Sequence, residues 1–101
     1  MNGIKQYSLD EMATMLRPIA DEYKITGISL FGSRARGDFD DCSDYDLLID
    51  VTEDFSFGDY GAFIEESSRV LGSSVDVVTR RSLTDCEFDR RILEDEVRVL
   101  P

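Results

Sequence analysis

Histidine and tryptophan are absent from this 101-residue chain, and it has only two cysteines. Without histidine there is no Ser-His or Cys-His nucleophilic pair and no histidine general base. Cys42 and Cys86 lie far apart and neither belongs to a C-x-x-C pair, which argues against a zinc site or a disulfide framework. Two reduced thiols are the expected state. No apolar run approaches the ~18 residues that mark a membrane span. The opening M-N-G-I-K-Q-Y-S lacks the apolar core of a signal peptide, so a cytoplasmic location is expected. Basic residues are scarce as well: 11 Lys and Arg stand against 22 Asp and Glu, for a net charge of −11. That balance repels nucleic acid, so direct nucleic-acid binding is not expected. It suits binding of metal–nucleotide complexes or docking on a basic partner, although an acidic surface also simply keeps a protein soluble. The chemistry left open is that of carboxylates, hydroxyls, backbone groups and a metal.

The length implies one domain over residues 1–101. Ser8 with Glu11 reads as a capping box, and Leu9, Met12, Leu16, Ile19 and Tyr23 follow at helical spacing, with a kink or break expected near Arg17 because of Pro18. Ile25 to Phe31 reads as a strand buried on both faces. Ser33 to Arg36 reads as a helical turn stopped by Gly37, and Asp38 to Ser43 as a polar loop leading into a second strand, Asp44 to Val51. Ser56 can cap a helix with Tyr60, Phe63, Ile64, Ser67 and Leu71 inward and Gly72 at its end. Ser74 to Thr79 reads as a third strand. Ser82 to Asp85 looks like another helix start, with Leu83, Phe88 and Ile92 or Leu93 as the stripe, and Val97 to Leu100 reads as an edge strand. Alternating helices and strands predict an α/β fold. The short connection from Phe31 to Asp44 predicts an antiparallel pair, hence a small mixed β-sheet with helices packed against it.

The chemistry concentrates between Ile28 and Val51. Asp44 and Asp46 would share a strand face while Tyr45 points away, and two carboxylates so close repel unless a cation lies between them. Oxygen-only donors point to a hard ion, Mg²⁺ or Mn²⁺. Gly32 permits close backbone approach to a phosphate, and Ser33 adds a hydroxyl donor. Each piece alone reads as ordinary turn chemistry. Together, with 7 Gly, 10 Ser and 14 Asp in the chain, G-S-x10-D-x-D would arise in only about 0.01 of shuffled sequences. Asp76, a lone acid in S-V-D-V-V-T, completes a three-carboxylate cluster if its strand lies beside the second; otherwise it faces solvent. A calcium loop is excluded, because Ser43 and Ile49 stand where its glycine and glutamate belong.

At these residues the sequence resembles the DNA polymerase β-like nucleotidyltransferase superfamily. The wording L-F-G-S-R-A-R-G-D…S-D-Y-D-L-L-I-D resembles its minimal nucleotidyltransferase (MNT) group, whose members pair with HEPN-domain toxins. The resemblance implies the nucleotidyltransferase fold. It also implies phosphate contacts from Gly32 and Ser33, and metal ligation by Asp44, Asp46 and Asp76 with two Mg²⁺ ions. Asp76 in addition would help deprotonate the acceptor. Arg34 or Arg36 would add a charged phosphate contact, or both are solvated surface arginines. The implied reaction is AMP transfer from ATP to a tyrosine hydroxyl of a HEPN toxin, the chain acting as an antitoxin in a hetero-oligomer with that toxin. The competing expectation is an antitoxin of the same fold that neutralises by binding alone. Nucleic-acid-directed nucleotidyl transfer is disfavoured by the charge.

Overall fold

Ser8 starts the first helix by a reciprocal pair of bonds. Its hydroxyl accepts from the Glu11 N–H at 3.1 Å while the Glu11 carboxylate accepts from the Ser8 N–H at 2.8 Å, which satisfies two otherwise orphan donors. The computed structural model describes residues 7–40 and 42–101, so residue 41 of the polar loop lies outside the described residues. Helix α1 (Leu9–Glu22) buries Met12, Leu16, Ile19 and Ala20, while Leu9 is exposed. The break expected at Pro18 does not occur. Pro18 cannot donate to the Thr14 carbonyl, but both residues face solvent, where water can take that acceptor. Leu16 and Ile19, buried on either side, hold the helix together.

Strand β1 (Ile25–Phe31) buries every residue but Thr26. Helix α2 (Gly32–Arg36) is a single turn ended by Gly37, whose φ of 93° lies in the left-handed region that glycine enters without a Cβ penalty. Strand β2 (Tyr45–Val51) begins one residue later than the sequence suggested and runs antiparallel to β1, from Ile25↔Val51 to Phe31↔Asp46. Helix α3 (Phe57–Leu71) starts with a second capping box, Ser56 with Asp59, and ends at Gly72. Strand β3 (Val75–Thr79) runs parallel to β2 because α3 carries the chain back across the sheet.

The last helix departs from the sequence expectation. Arg80–Ser82 forms a 3-10 turn, Leu83 is extended, and Asp89 accepts from both the N–H and the hydroxyl of Thr84 at 2.7 and 2.9 Å. Helix α4 therefore spans Glu87–Asp95, with Cys86 at its start rather than Ser82. Strand β4 (Val97–Leu100) pairs antiparallel with β1 at the sheet edge, as expected, giving the mixed order β3-β2-β1-β4. Both cysteines are free and exposed.

The sheet has a thick side and a thin side. On the thick side Met12, Leu16, Phe63 and Leu71 pack with Ile28, Leu30, Leu47 and Ile49 in the main core. On the thin side α4 rests one residue, Ile92, on Phe31 and Leu48. Beside that contact lies an ion network: Arg80 donates to Asp50 at 2.6 Å and to Glu96 at 2.7 and 3.0 Å, and Arg98 donates to Asp50 at 3.0 Å. No helix among the described residues is long and apolar enough to cross a membrane.

Candidate active site

Parallel pairing of β2 with β3 aligns Asp46 with Asp76 as direct register partners. Side chains of aligned residues on neighbouring strands share a face, so two carboxylates stand side by side. Asp44, exposed and two residues ahead of Asp46, adds a third negative charge. Partial burial, then the charge of Asp76, then that of Asp44 push the Asp46 carboxyl up to about 6, and Arg36 offsets only part of the rise. Asp76 is exposed on its strand and lines the same cleft as Asp46.

Gly32 sits against Asp46 in a way no other residue could. Its φ of 74° is left-handed, and a Cβ at this position would collide with the Asp46 carboxylate. The β1–α2 turn thus passes directly over the acid at the start of β2. Ser33, half-buried, follows within the α2 turn, where its carbonyl accepts from the N–H groups of Gly37 and Asp38 at 2.8 and 3.1 Å.

The two arginines of this turn part company. Arg34 is 4% exposed and is absent from the residues lining the cleft. Its Nε and Nη2 donate to the Ser43 carbonyl at 3.1 and 2.9 Å, and its guanidinium lies 4.1 Å from the Tyr45 ring centroid and 4.9 Å from that of Phe39. Arg34, one of the two candidates for a phosphate contact, thus lies away from the cleft, where its side chain fastens the polar loop to the base of β2. Arg36 does line the cleft, where it pairs with Asp95 at 2.6 Å and with Asp38 at 3.2 Å.

The cleft itself is open, with a volume of about 450 Å³. Gly32, Asp46 and Asp76 line it, and so do Phe88, Arg91 and Asp95 of α4, which the sequence reading did not assign to a site. Phe88 was expected in the inward stripe of that helix, but it is 71% exposed. The delayed start of α4 leaves only Ile92 fully inward. A usable signal was the helical spacing of Phe88, Arg91 and Asp95, which puts all three near one side of α4.

The donor set fits a hard divalent ion, since it offers only carboxylate oxygens and carries unneutralised negative charge. Among the described residues, no three acidic, cysteine or histidine side chains come together as a metal-holding group, so the structure does not gather Asp44, Asp46 and Asp76 into the three-carboxylate cluster expected from the sequence.

Comparison with known proteins agrees with this geometry. The family model for the nucleotidyltransferase domain matches residues 13–100. A Methanocaldococcus jannaschii protein named as a protein adenylyltransferase is 35% identical over 98 residues, spanning 91% of this chain and 98% of its own. A solved structure named as a minimal nucleotidyltransferase superposes with a TM-score of 0.73 at 23% identity, over 92% of this chain and 97% of the other. The structure of a tri-AMPylated Shewanella oneidensis HEPN toxin in complex with MNT antitoxin superposes with a TM-score of 0.67 at 16% identity, over 91% of this chain and 71% of the matched one. The structural likenesses speak to fold alone, and the family match encloses Gly32, Ser33, Asp44, Asp46 and Asp76. By its sequence match over residues 13–100, the chain belongs to the nucleotidyltransferase domain family.

Proposed function

We propose that this protein transfers AMP from ATP to a tyrosine hydroxyl of a HEPN-type toxin and so acts as its antitoxin in the cytoplasm, as a hetero-oligomer with that toxin. The observation that carries this reading is the alignment of Asp46 with Asp76 in a cleft that Gly32 also lines. The adenylyltransferase name of the Methanocaldococcus relative and the AMP-modified toxin in the Shewanella complex support the donor and the acceptor.

Asp44, Asp46 and Asp76 would hold Mg²⁺, as two ions, with Mn²⁺ as a substitute. Bound there, the metal supplies charge stabilisation to the attacking and leaving oxygens of an in-line displacement. Gly32 gives the triphosphate a backbone surface free of side chain, and Ser33 a hydroxyl at the first turn of α2. The acceptor oxygen forms a bond to the α-phosphorus, the bond to the β-phosphate oxygen breaks, and pyrophosphate leaves. The hydroxyl proton passes to a carboxylate oxygen of Asp76. The protein supplies position and charge rather than a covalent nucleophile, in keeping with the absence of histidine.

The test is incubation with labelled ATP, Mg²⁺ and the product of the adjacent gene. Label transfer that disappears in Asp44→Ala and in Asp46→Ala is the expected result. Neutralisation that survives both substitutions with no label transferred would replace this reading with docking alone.

A further inference from the structure

Phe88 combines two properties that need a joint explanation. Its ring is 71% exposed, and among the described residues it belongs to neither apolar cluster of the fold. Yet it lines the same cleft as Asp46 and Asp76. We propose that Phe88 is the platform on which the base of the donor nucleotide stacks, and that the larger purines are preferred to pyrimidines. This rests on the reading of the cleft as a nucleotide site and names a specificity residue within it.

A nucleoside triphosphate is charged at one end and carries its single flat apolar surface at the other. The cleft offers both kinds of surface: Gly32 and the two aligned carboxylates line it together with the ring of Phe88, around about 450 Å³ of space, within the range of small-ligand sites. The helix that carries Phe88 is held in place at two points. Ile92, one turn along α4, is buried against Phe31 and Leu48, and Asp95 is tied to Arg36 of α2 at 2.6 Å. Because α2 begins at Gly32, that ion pair links α4 to the turn that carries Gly32. A second groove of about 730 Å³, lined by Phe55, Phe57 and Arg81 and by no residue of α4, shares Val77 and Val78 with the cleft.

The chain has no tryptophan, so Phe88→Trp installs a single indole whose fluorescence reports stacking. Saturable quenching by MgATP and MgGTP, weaker quenching by MgCTP, and none by magnesium tripolyphosphate, which has no base, are expected. By calorimetry, Phe88→Ala should bind MgATP about 5- to 30-fold more weakly than wild type, the lower part of the range for base–aromatic stacking. Its tripolyphosphate affinity should be unchanged, and Phe88→Tyr should restore ATP affinity. Unaltered MgATP affinity in Phe88→Ala would overturn the proposal while leaving the transferase reading intact, and loss of acceptor transfer alone would move Phe88 to the acceptor side. Equal loss of ATP and tripolyphosphate would show a collapsed cleft rather than a stacking site. A wild-type protein with no affinity for MgATP would overturn both the proposal and the reading beneath it.

Discussion

Asp46 and Asp50 lie four residues apart on β2 and, by strand alternation, on the same face of the sheet. Their surroundings are opposite. Asp50 accepts from Arg80 at 2.6 Å and from Arg98 at 3.0 Å, and Arg80 also binds Glu96 at 2.7 Å, a hydrogen bond that holds the Glu96 carboxyl below its usual range. Asp46 instead faces Asp76 and Asp44 and is pushed up to about 6, while Arg36, the cation that acts on it, is bound to Asp95 and Asp38. Leu48, buried under α4, separates the two ends. The chain thus neutralises acids where they join strands and leaves them repelling at the mouth of the cleft. Such repulsion lowers stability and is expected where an added cation completes a site.

The contrast breaks most sharply at Asp46. Asp46→Asn should lower AMP transfer by at least 100-fold, on the scale of losing a charge-stabilising group. It should also raise the unfolding free energy by up to about 1 kcal/mol, a figure discounted for the solvent exposure of the group. Asp50→Asn should do the reverse, lowering stability with transfer by the folded fraction retained. Paired urea unfolding and turnover measurements check both.

At Gly32 the two effects merge. Gly32→Ala places a Cβ against the Asp46 carboxylate in a left-handed backbone, and should cost about 1–3 kcal/mol of stability together with most of the activity. At the other end of β2 from Asp46, Arg80→Ala leaves Asp50 and Glu96 without their shared partner. It should cost about 2 kcal/mol, seen as a lower urea midpoint, with MgATP affinity unchanged in the folded protein.

The smallest effect, and the finest test of the comparison, is in pH. The folded-state value of Asp46 lies above that of a free aspartate. The native state therefore holds more protons between about pH 4 and 6, and this term of stability falls as pH rises through that window. The folded-state value of Glu96 lies below that of a free glutamate. Its contribution is present above the ordinary glutamate range and is lost as pH falls through it. Asp46→Asn should remove the first slope and Glu96→Gln the second, read from urea midpoints across acid pH. Mg²⁺ affinity should weaken as protons compete for Asp46 below about pH 6.

What was readable in the sequence follows the same division. The placement of Gly32 at the end of β1 and of Asp46 and Asp76 on neighbouring strands was legible because backbone periodicity and spacing determine it, and the short β1–β2 connection dictated antiparallel pairing. Arg34 and Arg36 could not be told apart in S-R-A-R-G. Half a helical turn separates them, and only the position of Ser43, Tyr45 and Phe39 decides that Arg34 turns inward. The start of α4 was misplaced because Thr84 satisfies Asp89 across a loop, a contact no local pattern signals, and Phe88 moved from core to cleft as a result. The Arg80–Asp50–Glu96–Arg98 network was invisible for the same reason: its members come from two strands, a turn and the end of α4.

The most direct test of the central claim is the intact mass of the partner toxin after incubation with this protein, ATP and Mg²⁺, followed by peptide mapping. The account predicts mass gains in whole AMP units on a tyrosine of the toxin, absent when Asp46→Asn or Asp76→Asn replaces the wild type. A toxin of unchanged mass that is nonetheless bound and silenced by wild type and both variants alike would contradict it.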